Sequence, residues 1–183
     1  MTKLSDRLKG INVYLVGMMG TGKSTIGQIL AHNLEYRFFD SDTVLERVAQ
    51  ANITEIFATE GEEVFRELET QVLSQLCAYT RSVIATGGGV VLKPKNWSYL
   101  HHGLVIWLDA PVELLYQRLA IDQTRPLLNG SDLLGKLTSL QEQRRSFYAE
   151  ADLKITIQSE QTPEAIVDQI LEQIPTLLKT HIL

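Results

Sequence analysis

The chain has 183 residues, 44% of them hydrophobic and 21% charged, so it can bury a core and is neither a disordered tail nor a fibre. Lys plus Arg number 17 against 22 Asp plus Glu, and the net charge of −5 makes anionic polymers and membrane surfaces poor partners. One compact domain spanning residues 1–183 is expected, and the single cysteine, Cys77, excludes an intrachain disulfide and reads as a small core residue in a reducing compartment.

The first ten residues are polar and include Asp6, so no secretory or transit segment is expected, and the longest apolar runs are only strand length. These features lead to the expectation of a cytoplasmic protein, monomeric for want of a coiled-coil seam. Five β-rich runs, at residues 12–16, 37–39, 82–85, 104–108 and 153–157, each precede a stretch of helical periodicity. That alternation predicts βαβ units and a five-stranded parallel sheet.

After the first strand comes Gly17-Met18-Met19-Gly20-Thr21-Gly22-Lys23-Ser24-Thr25, two glycines flanking a short loop and followed by Lys and a hydroxyl residue. Between a strand and a predicted helix over 24–34, this is a phosphate loop: glycines let backbone N–H groups converge on phosphate oxygens, and the helix adds its positive end. Lys23 is placed to reach the β- and γ-phosphates of a nucleoside triphosphate, and the Ser24 hydroxyl to ligate Mg²⁺. At this length a small-molecule phosphotransferase fits better than a switch or a motor.

The second strand runs into Asp40-Ser41-Asp42, at the carboxyl edge of the sheet where open α/β sheets bind ligands. One carboxylate can hold the Mg²⁺ water shell while the other accepts from substrate hydroxyls and takes a proton, the role given to Asp42. The plain alternative is that these residues only cap a helix over 43–51. The next helix has an apolar face of Val64, Phe65, Leu68, Val72, Leu73 and Leu76, with Arg66 at its rim. Arg66 either pairs with Glu62 or Glu69 at helical spacing or offers its planar fork to a substrate carboxylate. The third strand ends in Gly87-Gly88-Gly89, which points to positive φ or to close approach by a ligand, and reads either as a floor of N–H donors for an acceptor or as a plain strand-to-helix turn.

Pro111 opens a helix over 112–120 that carries Arg118 near its end. Residues 121–131 are polar and weakly patterned and read as a lid, closed off by Ser131 as the cap of the following helix. Arg125 in this lid is either a solvated loop arginine, the reading composition favours, or enters the site to neutralise charge on the transferring phosphoryl group. Arg144 and Arg145 point apart on their helix, so at most one faces a site. Thr162-Pro163 caps and begins the last helix.

Taken in order, the phosphate loop, Asp40-Ser41-Asp42, Phe65-Arg66-Glu67-Leu68-Glu69, the three glycines, Arg125-Pro126-Leu127-Leu128, and Arg144 four residues before Tyr148 resemble the motif set of the shikimate kinase family. The likeness runs over roughly residues 11–175. It implies a P-loop kinase of α/β class, three-layer αβα with strand order 2-3-1-4-5, nucleoside-monophosphate-kinase-like, with a mobile lid. The activity it implies is ATP-dependent phosphorylation of the shikimate 3-hydroxyl, with Mg²⁺, on the route to chorismate and the aromatic amino acids. Carried over by resemblance, Asp42 receives the substrate hydroxyls, while Arg66, Gly88 and Arg144 surround the carboxylate. Lys23, Asp42 and Arg125 form the catalytic set. Gly20, Thr21, Gly22, Lys23, Ser24, Thr25, Arg125, Arg118 (against adenine) and Gln161 hold the nucleotide, and Ser24 with Asp40 the metal. Shikimate and ATP are the implied partners. A gluconate or nucleoside-monophosphate kinase of the same fold would have no need for the two arginines around a carboxylate, and a non-catalytic relative should have lost Lys23, Asp42 or Arg125.

Overall fold

The computed structural model describes residues 4–120 and 132–180. After a short helix α1 (Leu4–Arg7), the strands are β1 (Val13–Val16), β2 (Arg37–Asp40), β3 (Ser82–Ala85), β4 (Leu104–Asp109) and β5 (Leu153–Thr156). They form one sheet in the order β2-β3-β1-β4-β5, with every pairing parallel, as expected. β1 and β3 are buried at every position, the mark of strands covered on both faces, whereas the edge strand β5 alternates buried and exposed. α2 (Lys23–Leu34) packs on β1, β2 and β3 and against α9 (Pro163–Thr180). α5 (Gly61–Cys77) packs against α3 (Ser41–Ala49), α4 (Ile53–Thr59) and α6 (Pro94–Leu100), while α8 (Leu133–Tyr148) packs on α7 (Val112–Leu119) and on a 3-10 turn, Val90–Leu92.

Several boundaries differ from expectation for identifiable reasons. Asn12 lies outside β1 because its side chain ties two chain segments together, donating to the Tyr79 carbonyl and accepting from Ser82 N–H. α3 starts two residues early, at Ser41, because the Asp40 carboxylate accepts from Asp42 N and Thr43 N and caps it there. α4 was not expected, although Asn52 and Glu55 form a capping box that marks its start. Val64, assigned to the apolar face of α5, is exposed at 36%. α8 is capped by Asp132, which accepts from Gly135 N–H, while Ser131, expected as the cap, lies outside the described residues; Pro111 sits one residue before α7 rather than in its first turn. Thr162 does cap α9, through Ala165 N–H. Cys77 is half-buried and accepts from the Tyr14 hydroxyl at 3.0 Å.

The topology places the ends of β1, β2 and β3 side by side, Asp40 being in register with Ala85. The glycine loop, the acidic pair and the three glycines therefore meet at one sheet edge.

Candidate active site

Between β1 and α2 the chain turns through Gly17, Gly20 and Gly22, all at positive φ (141°, 80° and 89°), where a side chain would be strained. Gly22 occupies the cap position of α2 with no side-chain cap, so the first-turn N–H groups face outward. Lys23 is buried, its ammonium donating to the Gly17 and Met18 carbonyls at 2.9 and 2.8 Å, which holds a positive charge over the loop. Thr21 braces the same turn through its hydroxyl bond to the Met18 carbonyl. The Ser24 hydroxyl donates to Asp40 Oδ2 at 2.5 Å, while the other oxygen of Asp40 caps α3. Asp40 thus performs the capping duty and also faces the phosphate loop.

Two cavities open from this edge. One, of about 350 Å³, is lined by Gly20 to Thr25 and also by Arg118 and Gln161. Arg118 donates to the Gly20 carbonyl at 3.0 Å, and Gln161 folds back to accept from Gln158 N–H. The second, of about 810 Å³, is lined by Asp42, Arg66, Glu69, the three glycines and Arg144, with α4 residues on its outer wall. Both cavities are bounded by Ser24, Asp40, Asp42 and Gly88, so they meet at the acidic pair.

The arginines are buried where they line this space, Arg66 at 8% exposure and Arg144 at 4%. Arg66 pairs with both of its helical neighbours: Nη1 donates to buried Glu69 at 2.8 Å, and Nη2 and Nε donate to exposed Glu62 at 3.2 and 3.3 Å. Those bonds use three of the five guanidinium N–H groups. Arg145, the neighbour of Arg144, lies instead over the Trp107 ring. Burial works against the charge of Arg66, but Glu69 and Glu62 outweigh it and raise its pKa. The Glu69 carboxyl is itself raised, chiefly by burial and further by Asp42, against the opposing pull of Arg66.

The three glycines do not take positive φ, contrary to one expectation; what they supply is room. A Cβ on Gly87 would lie 2.7 Å from Glu69 Oε1 and 2.8 Å from Asp42 Oδ1, and one on Gly89 would lie 2.5 Å from Arg66 Cζ. At Gly88 the nearest charged atom is Arg144 Nη1, 3.6 Å from the Cβ position. Real Cβ contacts do not come so close at Gly87 and Gly89, so three charged side chains touch the floor only because it is bare. Gly89→Ala is expected to push the Arg66 guanidinium aside, costing about 1–3 kcal/mol of stability and raising KM for the acceptor; chemical unfolding and steady-state kinetics check the two parts.

Glu69, read from the sequence only as a helical partner for Arg66, also lines the larger cavity. Its position four after Phe65 and three before Val72 puts a carboxylate inside an apolar stripe, a signal that was present. Among the described residues its Oε1 has no hydrogen-bond partner, an orphaned buried acceptor facing Asp42 across Gly87. The lid and Arg125 lie outside the described residues. For a metal, the described residues hold no cluster of three or more His, Cys, Asp or Glu, while Ser24 and Asp40 offer hard oxygens beside a phosphate loop, a donor set that suits Mg²⁺ shared with phosphates.

A family model described as shikimate kinase matches residues 19–175 of the chain. A shikimate kinase of Rippkaea orientalis is 61% identical, with 98% of this chain and 96% of that one covered, and one of Nostoc punctiforme is 56% identical, with 96% and 97% covered. Among solved structures, shikimate kinase from Acinetobacter baumannii in complex with shikimate superposes with a TM-score of 0.86 at 38% identity, covering 97% of this chain and 98% of that one. With the matching model spanning most of the chain and relatives this similar over nearly its full length, the chain belongs to the shikimate kinase family.

Proposed function

We propose that the chain transfers the γ-phosphoryl group of ATP to the 3-hydroxyl of shikimate, giving shikimate 3-phosphate and ADP on the route to chorismate and the aromatic amino acids. The observation that carries this reading is the junction: a cavity floored by a phosphate loop and a cavity lined by two buried arginines share Ser24, Asp40, Asp42 and Gly88. A nucleotide in the first and a small hydroxylated carboxylate in the second would meet at Asp42.

In this reading Gly20, Thr21, Gly22, Lys23, Ser24 and Thr25 hold the phosphates, with Lys23 exchanging loop carbonyls for phosphate oxygens. Arg118 and Gln161 border the nucleoside. Asp42 accepts from the attacking hydroxyl and takes its proton, and Arg66, Gly88 and Arg144 receive the carboxylate and its surroundings. Ser24 and Asp40 would hold Mg²⁺, which when bound neutralises charge on the β- and γ-phosphates. Residues 121–131 act as a lid on a single-domain enzyme, and Arg125 enters with it to meet the transferring phosphoryl group. The protein works as a cytoplasmic monomer without nucleic acid or membrane, a reading in keeping with its net charge of −5.

Coupled ADP release with shikimate, gluconate and AMP offered separately under Mg²⁺ tests the assignment. Turnover is expected with shikimate alone, lost on chelation and restored by Mg²⁺. Gluconate or AMP supporting turnover where shikimate fails would overturn it.

A further inference from the structure

Behind the glycine floor lies a buried hydroxyl that the reaction scheme above does not use. Tyr148, at the end of α8 and 1% exposed, donates from its hydroxyl to the Gly88 carbonyl at 2.5 Å. The Arg144 side chain, one turn earlier on the helix, approaches the same glycine, its Nη1 lying 3.6 Å from where a Cβ on Gly88 would stand. A phenol has one donor and two acceptor sites, so it can accept from Arg144 while donating to Gly88. Its ring stacks on Trp107, with centroids 5.8 Å apart, which fixes where the oxygen sits. Burial pushes its pKa up to about 12, against the pull of Arg144, so the proton stays available for donation.

The geometry of the peptide extends the contact into the cavity. The Gly88–Gly89 bond is trans, so holding the Gly88 carbonyl toward Tyr148 turns the Gly89 N–H the other way, on a residue that lines the larger cavity. Among the described residues, neither the Gly88 nor the Gly89 N–H donates to any acceptor. A glycine pair has wide conformational freedom, and without an outside constraint this peptide could rotate.

We propose that Tyr148 is a positioning residue for the acceptor: its hydroxyl locks the Gly88–Gly89 peptide and the Arg144 guanidinium together, so that amide donors and a cation are presented to the acceptor as one unit. The inference rests on the reading above that Gly88 and Arg144 receive the acceptor. It adds a residue that touches no substrate and acts through two that do.

Steady-state kinetics of Tyr148→Phe, which keeps the ring and its stacking, tests this beside Arg144→Ala. For Tyr148→Phe, KM for shikimate is expected to rise about five- to twentyfold, with kcat within about twofold and KM for ATP unmoved. A merely structural loss would lower thermal stability without that split. An unchanged KM for shikimate, or one rising in parallel with KM for ATP, overturns the proposal. If Arg144→Ala raises KM for shikimate and Tyr148→Phe does not, the inference alone falls; if Arg144→Ala also leaves it unchanged, the underlying assignment of Arg144 falls with it. A second measurement needs no variant: on adding shikimate to the intact protein, the Gly89 amide proton is expected to shift downfield, and an unmoved resonance counts as refutation.

Discussion

Asp42→Asn is expected to lower kcat by about 10² to 10⁴ while nucleotide binding survives. Asn matches Asp in size and still accepts a hydrogen bond through its amide oxygen, but it cannot take a proton from the attacking hydroxyl. The helix that carries residue 42 is capped by Asp40, so α3 keeps its start and the loss reports on chemistry rather than on folding. Turnover measured beside nucleotide titration separates the two. Normal kcat in the variant would remove Asp42 as the base and leave it as one more residue at the junction.

Arg66→Met should destabilise the protein by about 3–5 kcal/mol, the range for removing one partner of a buried ion pair and leaving the other charge without compensation. The stranded partner is Glu69, at 3% exposure, with Oε1 already lacking a hydrogen bond among the described residues. The double variant Arg66→Met/Glu69→Gln removes the stranded charge as well and should recover most of that stability. It should not recover affinity for shikimate, because Gln cannot supply a cation. Chemical unfolding and KM, measured on the same pair of variants, thus separate the ion-pair duty of Arg66 from its duty to the acceptor. If KM returns with stability, the guanidinium serves the fold alone.

Much of this architecture was legible from local pattern. Strand-length apolar runs followed by helical periodicity gave the sheet its class, and the phosphate loop could be read because its chemistry lies within nine consecutive residues. The family resemblance supplied the strand order. What escaped were matters of space and long-range company. The three glycines announced that something was close, but their backbone is ordinary; the neighbours are Asp42, Arg66 and Glu69, which arrive from other elements. Arg66 offered two helical partners, and the structure uses both, which spacing alone could not settle. Val64 follows the apolar period of α5 yet lies exposed, because a stripe read from a sequence says nothing of where the neighbouring helix ends. α4 is only seven residues long, too brief for periodicity to reveal, and its capping box was the one signal available. Tyr148 reaches the glycine floor sixty positions away in the chain, a contact that no local pattern encodes.

The wall between the two cavities has a consequence for inhibitor chemistry. Its members, Ser24, Asp40, Asp42 and Gly88, border both spaces, so a nucleotide and an acid lying next to it would share one layer of side chains as their common boundary. A single molecule that tethers adenosine phosphates to a cyclic polyol acid across that boundary would collect the avidity of two sites.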